Sequence, residues 1–221
     1  MSKDYGQFCG LARASSVLGE RWSLLILRDL SVAPRRFTDL HEGLPGIPTS
    51  LLTTRLRELR SHGVVVRVAD ERPGGGVYYE LTARGRELEP VLDALGRWGA
   101  ATMVTPEPAD VITDASLAAA LRAGFQPGVE PGATVYAVHA GPATAWARAT
   151  DETVAVGPGA PEADPDVTIH SGPELRALIA GDLSPAAALD GGTTRIDGPV
   201  ELLERFALTF HVPLTATAAP Q

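Results

Sequence analysis

Cysteine is nearly missing from this chain: its 221 residues hold one, Cys9. A single thiol excludes an intramolecular disulfide framework and fits a reducing cytoplasm. Lysine is as rare, with Lys3 alone against 18 arginines, a coding skew that weakens any reading of arginine counts. No apolar run approaches the ~18 residues of a membrane span. The opening MSKDYGQFCG has no basic segment followed by an apolar one, so no secretory signal is expected. A cytoplasmic protein with no membrane partner follows as the expectation. The signatures of catalysis are missing too: there is no Gly-x-Ser-x-Gly, no phosphate-binding loop and no dinucleotide fingerprint. His139, His170 and His211 lie on separate segments without an i, i+4 pair, which argues against a metal site. The carboxylates are scattered. The sequence predicts no enzyme, no metal and no cofactor.

What is present supports folded cores. The apolar fraction is 44%, and the length suits one large domain or two smaller ones. The net charge of −8 speaks against nucleic acid until it is divided. Residues 1–105 hold 14 basic and 12 acidic side chains, a net of +2; residues 106–221 hold 5 and 15, a net of −10. Halves this different predict two modules with different partners. The first is nearly neutral, so phosphate contacts there would depend on local placement.

The most informative stretch is RFTDLHEGLPGIPTSLLTTRLRELRSH, Arg36 to His62. Phe37, Leu40 and Leu44 make one apolar stripe of a short helix, which Leu44-Pro45-Gly46 stops. Pro48 is expected to open the next helix at its first position. There Leu52, Leu56 and Leu59 cluster on one side, with Ser50, Thr54 and Arg57 opposite and Thr53 and Arg60 on a flank. Small hydroxylated residues beside an arginine suit a major groove, where hydroxyls approach phosphates or base edges and guanidinium binds guanine. The same face also suits plain solvation on a helical hairpin.

Around this pair, Tyr5 to Gly19 predicts a short helix. Arg21 to Leu30 predicts a second, with Trp22, Leu25, Ile26 and Leu30 as the core floor. After Gly63, a helix C-cap, Val64 to Val68 and Val77 to Leu81 read as a hairpin whose tip spans Asp70 to Gly76. That order is a winged helix, with Arg72 near the wing tip able to reach a backbone or minor groove. Thr82 caps a long helix, Ala83 to Ala101, carrying Leu88, Val91, Leu92, Leu95 and Trp98; its surplus apolar surface and the first helix are the candidate dimer interface.

Cys9, LGERWSLLILRDL (18–30), PRRFTDL (34–40), LPGI (44–47), LLTTRLREL (51–59), the Gly-rich wing, YYELTARGREL (78–88) and PVLDALGRWG (90–99) together resemble the HxlR-type family of bacterial winged-helix regulators. The resemblance implies a homodimer on a double-stranded inverted-repeat operator, the second helix of the pair in the major groove. Arg36, Thr49, Ser50, Thr53, Thr54, Arg57 and Arg72 are the expected DNA-binding residues. In some members the cysteine matching Cys9 is a thiol sensor; here Cys9-Gly10 departs from the common Cys-Pro, and a partly buried cysteine filling the dimer edge as a small hydrophobe is the alternative.

A proline-containing stretch, TMVTPEPADVITD, separates the halves, giving residues 1–103, a linker 104–112, and 113–221. Asp114 is expected to cap a helix to Gly124 with Leu117, Ala120 and Leu121 inward. Thr134 to Ala140, Thr144 to Ala149 and Thr153 to Val156 read as a meander. A further strand, Val167 to His170, precedes Ser171 and Glu174 at capping-box spacing. The run VTIHSGPELRALIAGDLSPAAALDGGTTRIDGPVELLERFALTF (167–210) is similar to the sterol-carrier-protein type of fold. That resemblance implies a helix-covered sheet enclosing an apolar tunnel, with Phe125, Trp146, Leu178, Leu189, Phe206 and Phe210 nearest a hydrophobic small-molecule effector; ordinary core packing is the alternative. The expected fold class is α+β, a winged helix-turn-helix domain followed by an α/β sterol-carrier-like domain. The function it implies is a DNA-binding transcriptional regulator, with a thiol-sensing regulator or a lipid-binding module as alternatives.

Overall fold

The computed structural model describes residues 5–69, 75–104, 107 and 109–215. The chain divides into two compact units, Met1–Leu92 and Asp93–Gln221.

In the first unit α1 (Gly10–Leu18) and α2 (Ser23–Val32) precede a two-residue strand β1 (Arg35–Arg36), then α3 (Phe37–Gly43) and α4 (Thr49–Ser61). The hairpin β2 (Val65–Ala69) and β3 (Val77–Leu81) follows, and the antiparallel sheet has the order β1-β3-β2. Its core is Ile26, Leu27, Leu30, Leu40, Leu44, Ile47, Leu52, Leu56, Leu59, Val64, Val65 and Leu81, none more than 4% exposed. This is the helix–turn–helix and wing that the sequence predicts.

Several details differ from expectation. Leu25 is 41% exposed and Leu27 fully buried, because Trp22 lies ahead of α2 at φ +80° and the helix turns a different face inward. Pro48 occupies the N-cap position with extended backbone, so α4 starts one residue later. The long helix predicted over 83–101 is two: α5 (Ala83–Arg86) and α6 (Glu89–Ala100). The break lets Leu88 and Leu92 pack on the winged-helix core. It leaves Val91, Leu95 and Trp98 as a stripe at i, i+4 and i+7, exposed by 47, 45 and 80%. Thr82 does cap α5, accepting the Gly85 N–H while its hydroxyl donates to the Gly63 carbonyl at 2.7 Å. Gly85 is where backbones meet: a Cβ there would lie 2.2 Å from the Val64 carbonyl oxygen. Among the described residues one acid is buried in this unit. Asp29 is 2% exposed and paired with Arg28 at 2.7 Å, and burial holds its carboxyl above the ordinary value despite that partner.

The second unit carries α7 (Asp114–Gly124), then β4 (Thr134–Ala140), β5 (Ala143–Ala149) and β6 (Val154–Pro158) as the expected meander. A return segment places β7 (Val167–Ser171) parallel to β4. After it come α8 (Leu175–Ala180), α9 (Pro185–Asp190), β8 (Thr194–Asp197) and α10 (Glu201–Thr209). The sheet order is β6-β5-β4-β7-β8. Small residues set the packing distance. Ala143, Ala145, Ala147 and Ala149 share one face of β5 and are at most 2% exposed, where α7 crosses β5 and β6 with Ala115, Ala118 and Ala119 buried.

Two predicted caps are corrected. Thr113, not Asp114, accepts the Ser116 N–H to cap α7; Asp114 instead accepts the Thr144 N–H at 2.8 Å. Ser171 forms no capping box, because it belongs to β7 and its hydroxyl meets Thr194 Oγ1 at 3.1 Å on β8. Ala120 points outward rather than into the core, since the inward stripe runs through Ala118 and Leu121. Among the described residues no helix is long and apolar enough to cross a membrane.

Candidate nucleic-acid interface

The outward face of α4 follows from its inward one. Leu52, Leu56 and Leu59 are at most 2% exposed, each burial stabilising by about 2 kcal/mol. The helix therefore has one rotational setting, in which Thr49, Ser50, Thr53, Arg57 and Arg60 are exposed and Thr54 is half-buried. Two residues, one at its start and one at its middle, fix the helix. Thr49 Oγ1 lies 3.3 Å from His41 Nε2, joining α4 to α3 across the Pro45-Gly46 turn. Arg55, its side chain only 13% exposed, pairs with Glu20 at 2.8 Å and with Glu58.

The threonines present less than their side chains suggest. Thr53 Oγ1 donates to the Thr49 carbonyl at 2.9 Å, and Thr54 Oγ1 to the Ser50 carbonyl at 3.0 Å. With the hydroxyl protons committed within the helix, what faces outward is oxygen lone pairs and methyl groups. Those suit a cytosine amino group or a thymine methyl. Arg57 and Arg60 are then the donors of this face; of its hydroxyls, Ser50 and Thr49 are not bonded back to the helix, and Thr49 meets His41.

Arg36, expected among the DNA-binding residues, is drawn into the root of the wing. Its backbone N–H donates to Asp39 Oδ2 at 3.0 Å, and its guanidinium donates twice to the Tyr78 hydroxyl, at 3.1 and 2.9 Å. It also packs against Gly76, where a Cβ would come within 3.1 Å of Cζ. Arg72 lies outside the described residues. On the described part of the wing, Arg67 of β2 is exposed opposite Tyr79. Sequence reasoning missed Arg67 and the positioning roles of His41, Arg55 and Tyr78. The Thr49–His41 spacing of eight residues is a local signal; the Arg36–Tyr78 contact, 42 residues apart, has none.

Cys9 is exposed, one residue before α1, and its side chain makes no cap hydrogen bond. Phe8 and Leu11 beside it are 112% and 77% exposed.

Of the six residues proposed for an effector, the structure gathers some and separates another. Phe125, Phe206 and Phe210 form an aromatic group with Tyr136, ring centroids 5.0 to 6.5 Å apart. Leu178, Phe206 and Phe210 have no accessible surface, so no water-sized space adjoins them. Leu189 is half-buried on α9. Trp146 pairs with Ala137, one residue out of phase with Tyr136 in β4, so its side chain is on the opposite face of the sheet. Beneath the aromatic group lies a buried acid the sequence did not single out. Glu130 accepts hydrogen bonds from the hydroxyls of Tyr136, Thr134 (2.9 Å) and Thr209 (3.0 Å). Burial and that carboxylate push the Tyr136 hydroxyl well above its ordinary pKa.

The Arg36–Tyr78 contact is testable. In a double-mutant cycle of Arg36→Met and Tyr78→Phe, read by urea denaturation, the coupling is expected at roughly 1 kcal/mol. A coupling near zero would mean that the wing root is not tied this way.

The sequence profile of the HxlR-like helix-turn-helix family matches residues 17–106. An HTH-type transcriptional regulator of Synechocystis sp. is 42% identical over 94 residues, spanning 42% of this chain and 70% of that relative. YtcD, an HTH-type transcriptional regulator of Bacillus subtilis, is 39% identical over 84 residues, spanning 38% of this chain and 67% of its own length. The YtcD crystal structure gives a TM-score of 0.39 at 35% identity, over 42% of this chain and 95% of that one. The profile covers the segment that holds α2, α3, α4 and the wing, and the chain belongs to the HxlR-like helix-turn-helix family of transcriptional regulators.

Proposed function

We propose that the chain acts in the cytoplasm as a homodimeric regulator, a repressor, on an inverted-repeat operator, and that a hydrophobic small molecule bound by its second half switches it. In this reading residues 1–103 bind DNA and dimerise, 104–112 link, and 113–221 sense. The observation that carries the DNA part is α4, held by three buried leucines with Ser50, Thr53 and Arg57 outward. Two such helices on one face of a duplex would sit about 34 Å apart. Replacing Arg57 by Ala is expected to weaken binding to the operator by about 1–3 kcal/mol if it contacts a base. Fluorescence anisotropy on the upstream region of the gene reads this; unchanged affinity and sequence preference would remove Arg57 from the reading surface.

Dimerisation is supported by the apolar stripe Val91, Leu95 and Trp98 and by the exposed Phe8 and Leu11 at α1. Exposed apolar side chains spaced along one helix face are what a partner surface covers. The double variant Leu95→Asp, Trp98→Asp should sediment as a monomer and lose operator affinity; a variant that remains dimeric would place the interface elsewhere.

The sterol-carrier-like reading of 113–221 is supported by the five-stranded sheet and its packed helices. Since Leu178, Phe206 and Phe210 are fully covered, an effector held among them would enter only by parting α10 from the sheet. It acts on DNA binding only by its difference in affinity for two arrangements of the dimer.

The exposure of Cys9 beside that apolar surface favours a second reading, a thiol switch. With no second cysteine in the chain, it would work by an intersubunit disulfide or an adduct. Oxidant should then release the wild type from DNA and spare Cys9→Ser. Equal behaviour of the two proteins would exclude it.

A further inference from the structure

The sheet of the second unit has two unlike faces. Register and burial assign them: Tyr136, Val138 and Ala140 of β4 share a face with Ala143, Ala145, Ala147 and Ala149 of β5, and none is more than 2% exposed. The other face carries Val135, Ala137 and His139 of β4 and Thr144, Trp146 and Arg148 of β5. Next to them lie Gly157 of β6, Thr168 and His170 of β7, and Arg195 and Asp197 of β8. Apart from Ala137 and Gly157, every one of these is half-buried or exposed.

Three observations on that second face converge. The first is the shape around Trp146. Its cross-strand neighbours, Ala137 and Gly157, are both small. The indole lies across Gly157 so closely that a Cβ there would be 2.5 Å from its Cε2 and Nε1. Nothing bulky flanks the ring in its row, and it is only half-buried.

The second is charge. Residues 106–221 hold 15 acidic side chains and five arginines. Three of the five are engaged: Arg122 with Asp93 at 2.9 Å, Arg176 with the Val212 and Ala100 carbonyls, and Arg205 3.8 Å from Glu130. The other two, Arg148 and Arg195, are exposed and have no hydrogen-bond or ion-pair partner among the described residues. Both stand on this face. Of the strand residues on it one is acidic, Asp197, met by His170 Nε2 at 3.0 Å; Asp166, just before β7, has its carboxylate on the Val135 N–H at 2.7 Å. Both unengaged cations of this acidic half thus stand on one face, Arg148 two residues from Trp146 and Arg195 three strands away on β8.

The third is spacing. Arg148 follows Trp146 by two residues on the same strand face, about 7 Å along β5. In the opposite direction the imidazoles of His139 and His170, on adjacent strands, stack on each other at 4.7 Å and 4°.

We propose that this face binds a planar aromatic anion, its ring stacked on Trp146 and its carboxylate paired with Arg148. A ring gains contact area and quadrupole complementarity on the indole. The guanidinium supplies a paired donor edge matched to a carboxylate. The site is distinct from the aromatic group of Phe125, Phe206 and Phe210, which lies behind the sheet. It does not depend on the regulatory reading, because binding is measured without DNA.

The test is isothermal titration of the full chain with 2-naphthoate, and with neutral 2-naphthamide for comparison. Saturable binding at one site per chain is expected, weakened about tenfold or more by Arg148→Gln. The amide should bind more weakly than naphthoate to the wild type and be indifferent to that substitution. Trp146→Leu should weaken both ligands. Arg148 is exposed, so its variant keeps the test readable if Trp146→Leu fails to fold. No saturable binding of naphthoate, or an unchanged affinity in Arg148→Gln, would overturn the proposal.

Discussion

Burial of Leu52, Leu56 and Leu59 under the winged-helix core decides what α4 can show to DNA. Three leucines on a helix of 13 residues leave one rotational setting, since turning the helix would expose roughly 2 kcal/mol of apolar surface per side chain. Everything else in the first unit serves that setting. Leu40, Leu44 and Ile47 close the turn from the α3 side, Val64, Val65 and Leu81 seal it from the hairpin, His41 holds the start of α4 and Arg55 its middle. The outward face is thus determined by an inward one made of ordinary leucines.

That face is chemically leaner than its sequence. Back-bonding uses the hydroxyl protons of Thr53 and Thr54, and the wing root takes up the guanidinium of Arg36. Three residues that look like donors in the sequence therefore contribute acceptors, methyl groups or wing geometry. The half of the chain that carries this face has a net charge of only +2. In the proposed reading, affinity rests on a few well-placed cations such as Arg57, Arg60 and Arg67, all exposed, rather than on a broad basic field. A protein of this kind gains little from non-specific attraction, and fit at the base edges has correspondingly more to decide.

How much of this was legible follows from the range of each interaction. Periodicity placed α3, α4, the hairpin and the meander, because burial of one face repeats every 3.6 or 2 residues within a segment. The failures are of two kinds. Local signals competed at Ser171, whose capping-box spacing with Glu174 is real but whose backbone is committed to β7 by pairing with β8. The same happened at Asp114, where Thr113 caps first. Distant partners decided the others. Arg36 is claimed by Tyr78, and Trp146 faces away from Phe206 because one residue of register separates Ala137 from Tyr136. Residue type alone holds no record of either.

The same one-residue parity gives the second unit its division of labour. Alanines on one face of β5 let α7 approach closely and leave that side full, with Tyr136, Phe206 and Phe210 closing over the buried Glu130. Its hydroxyl partners satisfy that carboxylate, which would otherwise cost several kcal/mol to bury. A face so completely packed has little left with which to recognise a ligand without opening. The residues between the alanines are where the strand keeps its indole and a cation, Trp146 and Arg148, unmatched by neighbours. Packing accounts for the first face completely. It does not account for the second, because an unpartnered guanidinium beside a half-buried tryptophan contributes nothing to the fold that a threonine would not.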